Sequence, residues 1–316
     1  MSVEELKLRS GKSPVTFESP ARGLKKNSIH LAGFLAATII LAAYFSFPLY
    51  ELLQLAFSDD LYSAIPLIPL VSLYLVWLKR ENLPAILGSA VKPATAFFIA
   101  GVLSLAAYWI AARDTFGPIE NYLAINLLAF LFFFVGICFL FLGELVVRAV
   151  AFPLALLIFT IPFPEPVRHA IEQFLQYGSA VCAGMFFYLS GTPFFRDELN
   201  FHLPGCVLQV APECSGIHST LVLAITSLLG AWLFLRSPWK RTALVLVVIP
   251  LALLRNGLRI FVIGRLCVAY GPQMLASPIH RHGGPLFFAL SLVPFFLFLL
   301  FLRKTEQTKP SIKKFV

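Results

Sequence analysis

Apolar runs long enough to form membrane helices, joined by short polar links, follow one another along most of this 316-residue chain. A helix needs roughly 20 apolar residues to cross the hydrocarbon layer of a bilayer. Against that measure the runs predict spans near 29–50, 61–78, 93–112, 121–147, 149–163, 214–235, 242–262 and 284–302. The pattern therefore predicts an all-α polytopic membrane protein of about eight transmembrane helices. The fifth run is short and continues into "IPFPEPVRHA" (161–170), where the prolines break or bend a helix. Beyond it, "EQFLQYGSAVCAGMFFYLSG" (172–191) is apolar on most faces and interrupted by three glycines, the pattern of a half-buried or re-entrant helix. A ninth crossing there would invert everything after it. In "TPFFRDELNFHLPGCVLQVAPEC" (192–214) apolar and polar residues alternate around the turn signal "LPG", which predicts a short β-hairpin just before the next span.

Composition agrees with a membrane protein. Hydrophobic residues make up 59% and charged residues 13%, with mean hydropathy +0.83, whereas soluble domains carry roughly 25% charged residues. Lys and Arg collect in cytoplasmic loops, and "RGLKK", "KRE" (79–81), Arg148, "RSPWKR" (236–241) and "RKTEQTKPSIKK" fall on one side of the predicted topology. Glu51, Asp59, Asp60, Asp114, Glu120 and Glu165 fall on the other. Both termini are therefore expected in the cytoplasm: a polar tail over 1–27 with no cleavable signal core, a transmembrane domain over 28–302, and a basic tail over 303–316. Segment 164–213 is expected outside. The net charge of +9 follows from this topology, and the dispersed basic residues, without an aromatic platform, exclude a nucleic-acid partner. No internal repeat supports a transporter built from duplicated halves.

The candidate chemistry sits in three polar interruptions. The first is "APECSGIHST" (211–220). Of the five cysteines, Cys138, Cys182 and Cys267 lie in apolar runs and read as small buried hydrophobes. Cys206 and Cys214 belong to the predicted outer face, where a disulfide between them is one option. No Cys/His spacing suggests zinc or another cofactor. With Pro212 ending the strand, Cys214 and Ser215 are expected in the first turn of the next helix, followed by Gly216 and His218. Free N–H groups and the positive end of the helix dipole would stabilise a thiolate there. The second interruption is "LLRNGLRI", which puts Arg255 and Arg259 four residues apart on one helix face, with Asn256 placed to orient a neighbour. Snorkelling to the interface competes with a functional role for Arg255. For Arg259 function is preferred, because charges inside spans are costly and usually face a site. The third is "SPIHRHGGPLFF" (277–288), where His280 and His282 titrate near neutrality and suit proton transfer.

Taken in order, "ECSGIHS", "RNGLRI" and "HRHGGPLFF", together with "YSAIPLIPLVSLYLVWLKR" (62–80), resemble the exosortase/archaeosortase family of membrane cysteine transpeptidases. The resemblance implies a catalytic Cys214, Arg259 and His280. Pro285 stands where many members carry Trp. It implies as partners exported proteins with a C-terminal sorting tail: a Pro-Glu-Pro-like motif, a membrane helix and a basic cluster. No cofactor is expected. Cleavage would proceed through a thioester on Cys214, with transfer to water or to an amine or hydroxyl on a lipid or glycan. His280 is preferred to His282 because its spacing to the following Gly and aromatic residues matches the family. His218 ranks third, expected one turn deeper in lipid. The chain's own "PEP" (164–166) lacks a following sorting tail and reads as a turn. A transporter using the arginines for an anionic solute, or a non-catalytic assembly factor for surface polymer export, are the alternatives from other classes.

Overall fold

The computed structural model describes residues 20–84, 87–111, 118–212, 215–276 and 284–307. In chain order the helices are α1 (Pro20–Tyr44), α2 (Ser46–Ser58), α3 (Leu67–Leu78), α4 (Val91–Ala111), α5 (Ile119–Phe141), α6 (Glu144–Ala149), α7 (Ala151–Leu156) and α8 (Glu165–Leu189). Three strands follow, β1 (Phe195–Asp197), β2 (Asn200–Leu203) and β3 (Cys206–Gln209), then α9 (Ile217–Phe234), α10 (Pro238–Leu246), α11 (Val248–Tyr270) and α12 (Gly284–Gln307). Among the described residues seven helical segments are long and apolar enough to cross a membrane. The broken pair Ala151–Thr160 and Glu165–Leu189 makes an eighth if it counts as one span. The protein is thus a multi-pass helical membrane protein with one small sheet, as the hydropathy pattern predicts. Its first helix begins at Pro20, inside the stretch expected to be a polar tail.

The chain divides into two compact units. One comprises Met1–Leu55 and Ile65–Pro162. Its centre is α5, whose Leu123, Leu127 and Ala129 are buried, packed along α4. Phenylalanine fills the gaps: Phe97 stacks on Phe139 at 5.5 Å, and Phe45 meets Phe130 edge to face at 5.7 Å.

The second unit comprises Ala56–Ala64 and Phe163–Val316. Pro164 and Pro166 mark the break the sequence predicts, and Pro166 sits in the first turn of α8, where a missing N–H costs nothing. The predicted hairpin is a three-stranded antiparallel sheet in the order β1, β2, β3, one strand more than expected. The extra strand forms because the chain reverses at Glu198-Leu199, between the paired Asp197 and Asn200, with Glu198 at a φ of +48°. The second reversal is Pro204-Gly205, between the paired Leu203 and Cys206. Period-two alternation holds: Phe201, Leu203, Cys206 and Leu208 are buried while His202 and Val207 are exposed. That buried face packs with Ala180, Ala183 and Phe187 of α8 and with Ile260, Ile263 and Cys267 of α11. A second cluster joins α9, α10 and α12 through Leu223, Leu235, Leu244, Phe295 and Leu299.

α8 and α11 approach closely because glycines face their neighbours. A Cβ on Gly257 would lie 2.5 Å from the Cβ of Cys182, and one on Gly264 would lie 2.5 Å from the ring of Phe187. This contact brings the middle of α11, with its arginines, against the polar side of α8.

Candidate active site

The segment leaving β3 is tied down before α9 begins. The Val210 amide donates to the Leu199 carbonyl at 2.9 Å, and the Ser215 amide to the Pro212 carbonyl at 2.9 Å. Gly216 then caps the helix at a φ of +73°, a left-handed conformation that suits glycine. α9 therefore starts at Ile217, and Ser215 lies ahead of the helix, not in its first turn as expected. Cys214, the expected nucleophile, lies outside the described residues, as do His280 and His282.

The Gly216 carbonyl is a hub. It accepts from the Thr220 amide at 3.0 Å, the Thr220 hydroxyl at 2.8 Å, the Ser219 hydroxyl at 3.1 Å and Arg255 Nη2 at 3.3 Å. The same Nη2 reaches Thr220 Oγ1 at 3.3 Å. Arg255 is only 7% exposed, so it does not snorkel, and its Nη1 is buried with no hydrogen-bond partner among the described residues. Asn256, 2% exposed, donates from Nδ2 to the Ser215 carbonyl at 3.2 Å and to Ser179 Oγ at 3.1 Å. Two consecutive residues of α11 thus grip two consecutive carbonyls at the head of α9.

Arg259, one turn further along α11, lines a cavity of about 650 Å³. Its walls include Ser215, Gly216, Ile217 and His218 at the N-terminus of α9, and Gly284, Pro285 and Phe288 at the start of α12. The cavity lies where the first-turn N–H groups and the positive end of the α9 dipole are concentrated. Because the helix starts at Ile217, His218 falls in the first turn and faces the cavity, its Nδ1 buried with no hydrogen-bond partner among the described residues.

Other wall residues have no counterpart in the sequence motifs. Asp59 and Asp60 contribute from a 3₁₀ turn over Asp60–Tyr62, where the Asp59 carboxylate caps the Leu61 amide at 2.8 Å. Arg168 and Glu172 of α8 line it as an ion pair at 3.2 Å, and His169 Nδ1 lies 3.4 Å from the second carboxylate oxygen. The signal that could have revealed the α8 residues is helical spacing, since Arg168, Glu172, Gln176 and Ser179 recur on one face.

The option of a disulfide from Cys206 to Cys214 lies outside the described residues, and among those described Cys206 neighbours Cys267. Its thiol hydrogen-bonds with that of Cys267, and burial, reinforced by that neighbour, pushes its pKa up to about 12. Among the described residues no group of three His, Cys, Asp or Glu side chains could hold a metal ion.

In a comparison with protein families, residues 56–297 match the family described as Transmembrane exosortase (Exosortase_EpsH). No curated protein and no solved structure matches the chain.

Proposed function

Since the chain belongs to the transmembrane exosortase family, a transpeptidase family that processes sorting signals, we propose that it is a cysteine transpeptidase using Cys214, Arg259 and His280. Its substrates are exported proteins ending in a Pro-Glu-Pro-like motif, a membrane helix and a basic cluster. It works in the inner membrane, with both termini cytoplasmic and the site facing outward, in accord with the distribution of Lys and Arg.

The Cys214 thiolate attacks the scissile carbonyl and forms a tetrahedral oxyanion. Arg259 and N–H groups at the start of α9 stabilise that charge. His280 protonates the departing amine, the C–N bond breaks and a thioester remains. Water, or an amine or hydroxyl on a lipid or glycan, then gives up a proton to His280 and attacks the thioester, and the C–S bond breaks to release the thiolate. Arg255 and Asn256 hold the carbonyls of Gly216 and Ser215 and so orient the helix head beside the nucleophile. His282 and His218 are the alternative proton carriers, and His218 gains weight from its place in the cavity wall.

One observation carries this reading: described residues from all three motif segments line a single cavity. They include Ser215, Gly216 and His218 from the first, Arg259 from the second, and Gly284, Pro285 and Phe288 from the third. The test is co-expression with a reporter bearing such a tail. Cys214→Ala should leave the tail uncleaved while the protein still accumulates in the membrane, and normal cleavage by that variant would exclude the cysteine mechanism.

A further inference from the structure

α9 and α12 both lead away from the cavity, α9 from Ile217 and α12 from Gly284. At the usual helical rise the far end of α9 stands roughly 27 Å from its head. The chemistry at that end is cationic. From Ile217 to Gln307 the sequence has one acidic residue, Glu306, while Arg236, Lys240, Arg241, Arg303 and Lys304 gather at the ends of α9, α10 and α12.

The gathering is fixed by bonds between distant parts of the chain. The Glu306 carboxylate is taken up by backbone, accepting from the Arg236 amide at 3.0 Å and the Ser237 amide at 2.6 Å. Lys240 Nζ donates to the Leu302 carbonyl at 3.1 Å and to the Thr305 hydroxyl at 3.0 Å. Arg241 Nε donates to the Leu235 carbonyl at 2.8 Å. Leu235, Leu244 and Leu302 belong to one buried cluster beneath these bonds. The end of α12 is thereby clamped to the turn between α9 and α10, and cations from two stretches of sequence share one rim. The side chains of Arg236 and Arg303 are exposed on it, with the Arg303 guanidinium 5.7 Å from the centre of the Phe234 ring.

Keeping loop cations on one side of a membrane requires no such clamp. Cations held together repel unless an anion joins them, and the one carboxylate present is bonded to backbone amides. A phosphodiester fits the vacancy in charge, since guanidinium groups bind phosphate oxygens through paired N–H bonds. The surroundings select a lipid over a free anion: Phe234, Trp239, Leu246 and Phe301 are exposed apolar side chains at the same end, and Trp favours the headgroup level of a bilayer. In the orientation proposed above this end faces the cytoplasmic leaflet, where anionic lipids create a negative surface potential. We propose that the rim of Arg236, Lys240, Arg241 and Arg303 binds the headgroup of an anionic phospholipid, with the neighbouring apolar side chains against its acyl region.

The test adds short-chain phosphatidylglycerol, phosphatidylcholine or inorganic phosphate to the full-length protein in neutral detergent. Bound lipid is read by native mass spectrometry, and stability by the unfolding temperature. Phosphatidylglycerol should be retained and should raise the unfolding temperature, and the other two should do neither at equal concentration. Equal retention of phosphatidylcholine overturns recognition of the anionic headgroup, and equal stabilisation by inorganic phosphate overturns a lipid as the occupant. Removing one basic residue weakens attraction to an anionic lipid about fivefold, so Arg236→Gln combined with Arg303→Gln should weaken phosphatidylglycerol binding about tenfold or more. Arg80→Gln, at an exposed cation outside the rim, should leave it unchanged, and equal weakening by the two overturns the site. Glu306→Ala separates a built site from bulk positive charge. It makes the rim more positive but releases the clamp, so affinity should fall severalfold, and a rise overturns the proposal. If Glu306→Ala does not fold, the double variant, altered only at exposed side chains, decides.

Discussion

Gly216→Ala is the smallest change that reaches the centre of the site. Two costs can be worked out. At a φ of +73° an L-residue pays about 1–2 kcal/mol for the left-handed conformation. The new Cβ would also stand 3.1 Å from Arg255 Nη2 and 3.4 Å from Asn256 Cγ and Oδ1, so the guanidinium must retreat from a carbonyl it now reaches at 3.3 Å. A hydrogen bond from a charged donor contributes about 1.5–3 kcal/mol, and losing part of it brings the total to about 2–4 kcal/mol. Gly205→Ala supplies the control. Gly205 has a φ of +79° but nothing within 4 Å of its added Cβ, so it carries the conformational cost of about 1–2 kcal/mol and no clash. The assay pairs thermal unfolding in detergent with cleavage of a tail-bearing reporter. Gly216→Ala should be the less stable of the two and at least tenfold less active than Gly205→Ala. If the two variants match in both measurements, the packing of Arg255 and Asn256 over Gly216 does not have the role assigned to it.

Three further outcomes are expected. Gly257→Ala puts a methyl 2.5 Å from the Cβ of Cys182 and 3.0 Å from the Ser179 carbonyl. It should cost about 1–3 kcal/mol by overpacking, read as a lower unfolding temperature. Arg255→Lys keeps a buried charge but loses the guanidinium fork; it should lower stability by about 1–3 kcal/mol, whereas Arg259→Lys should leave unfolding near wild type and abolish most cleavage. Equal effects of the two on stability would refute that division of labour. Cys206, with a thiol pushed up to about 12, is overwhelmingly protonated at neutral pH and gains its nucleophilic thiolate only as the pH approaches that value. Alkylation of the folded protein at neutral pH should therefore spare Cys206, and rapid labelling there would show that the sheet does not seal it.

Much of this was legible in the chain. Hydropathy length alone finds the spans, because a helix in lipid must satisfy its own backbone and can do so only over a fixed rise. The polar interruptions around Ser215, Arg255 and Arg259 stand out against apolar flanks, and "LPG" with its alternating neighbours marks a strand pair. The misses have physical causes. Whether Arg255 snorkels or turns inward depends on a Gly216 carbonyl 39 residues away, which hydropathy does not see. The start of α9 is set by the left-handed Gly216, so a reading that began the helix at Cys214 also misplaced His218. The row of Arg168, Glu172, Gln176 and Ser179 on α8 escaped notice because apolar residues cover most other faces of that helix and Gly178 and Gly184 interrupt it, diluting the periodicity. The third strand depends on Glu198 accepting a positive φ, for which the sequence carries no glycine signal.

The most direct test of the central claim is to quench the full-length protein during turnover of a reporter ending in a Pro-Glu-Pro motif, an apolar helix and a basic cluster, and to map the covalent adduct by mass spectrometry. The account predicts an acyl adduct on the Cys214 peptide that hydroxylamine removes, and no adduct or cleavage in Cys214→Ala. An adduct on any other residue, or cleavage that persists in Cys214→Ala, would contradict it.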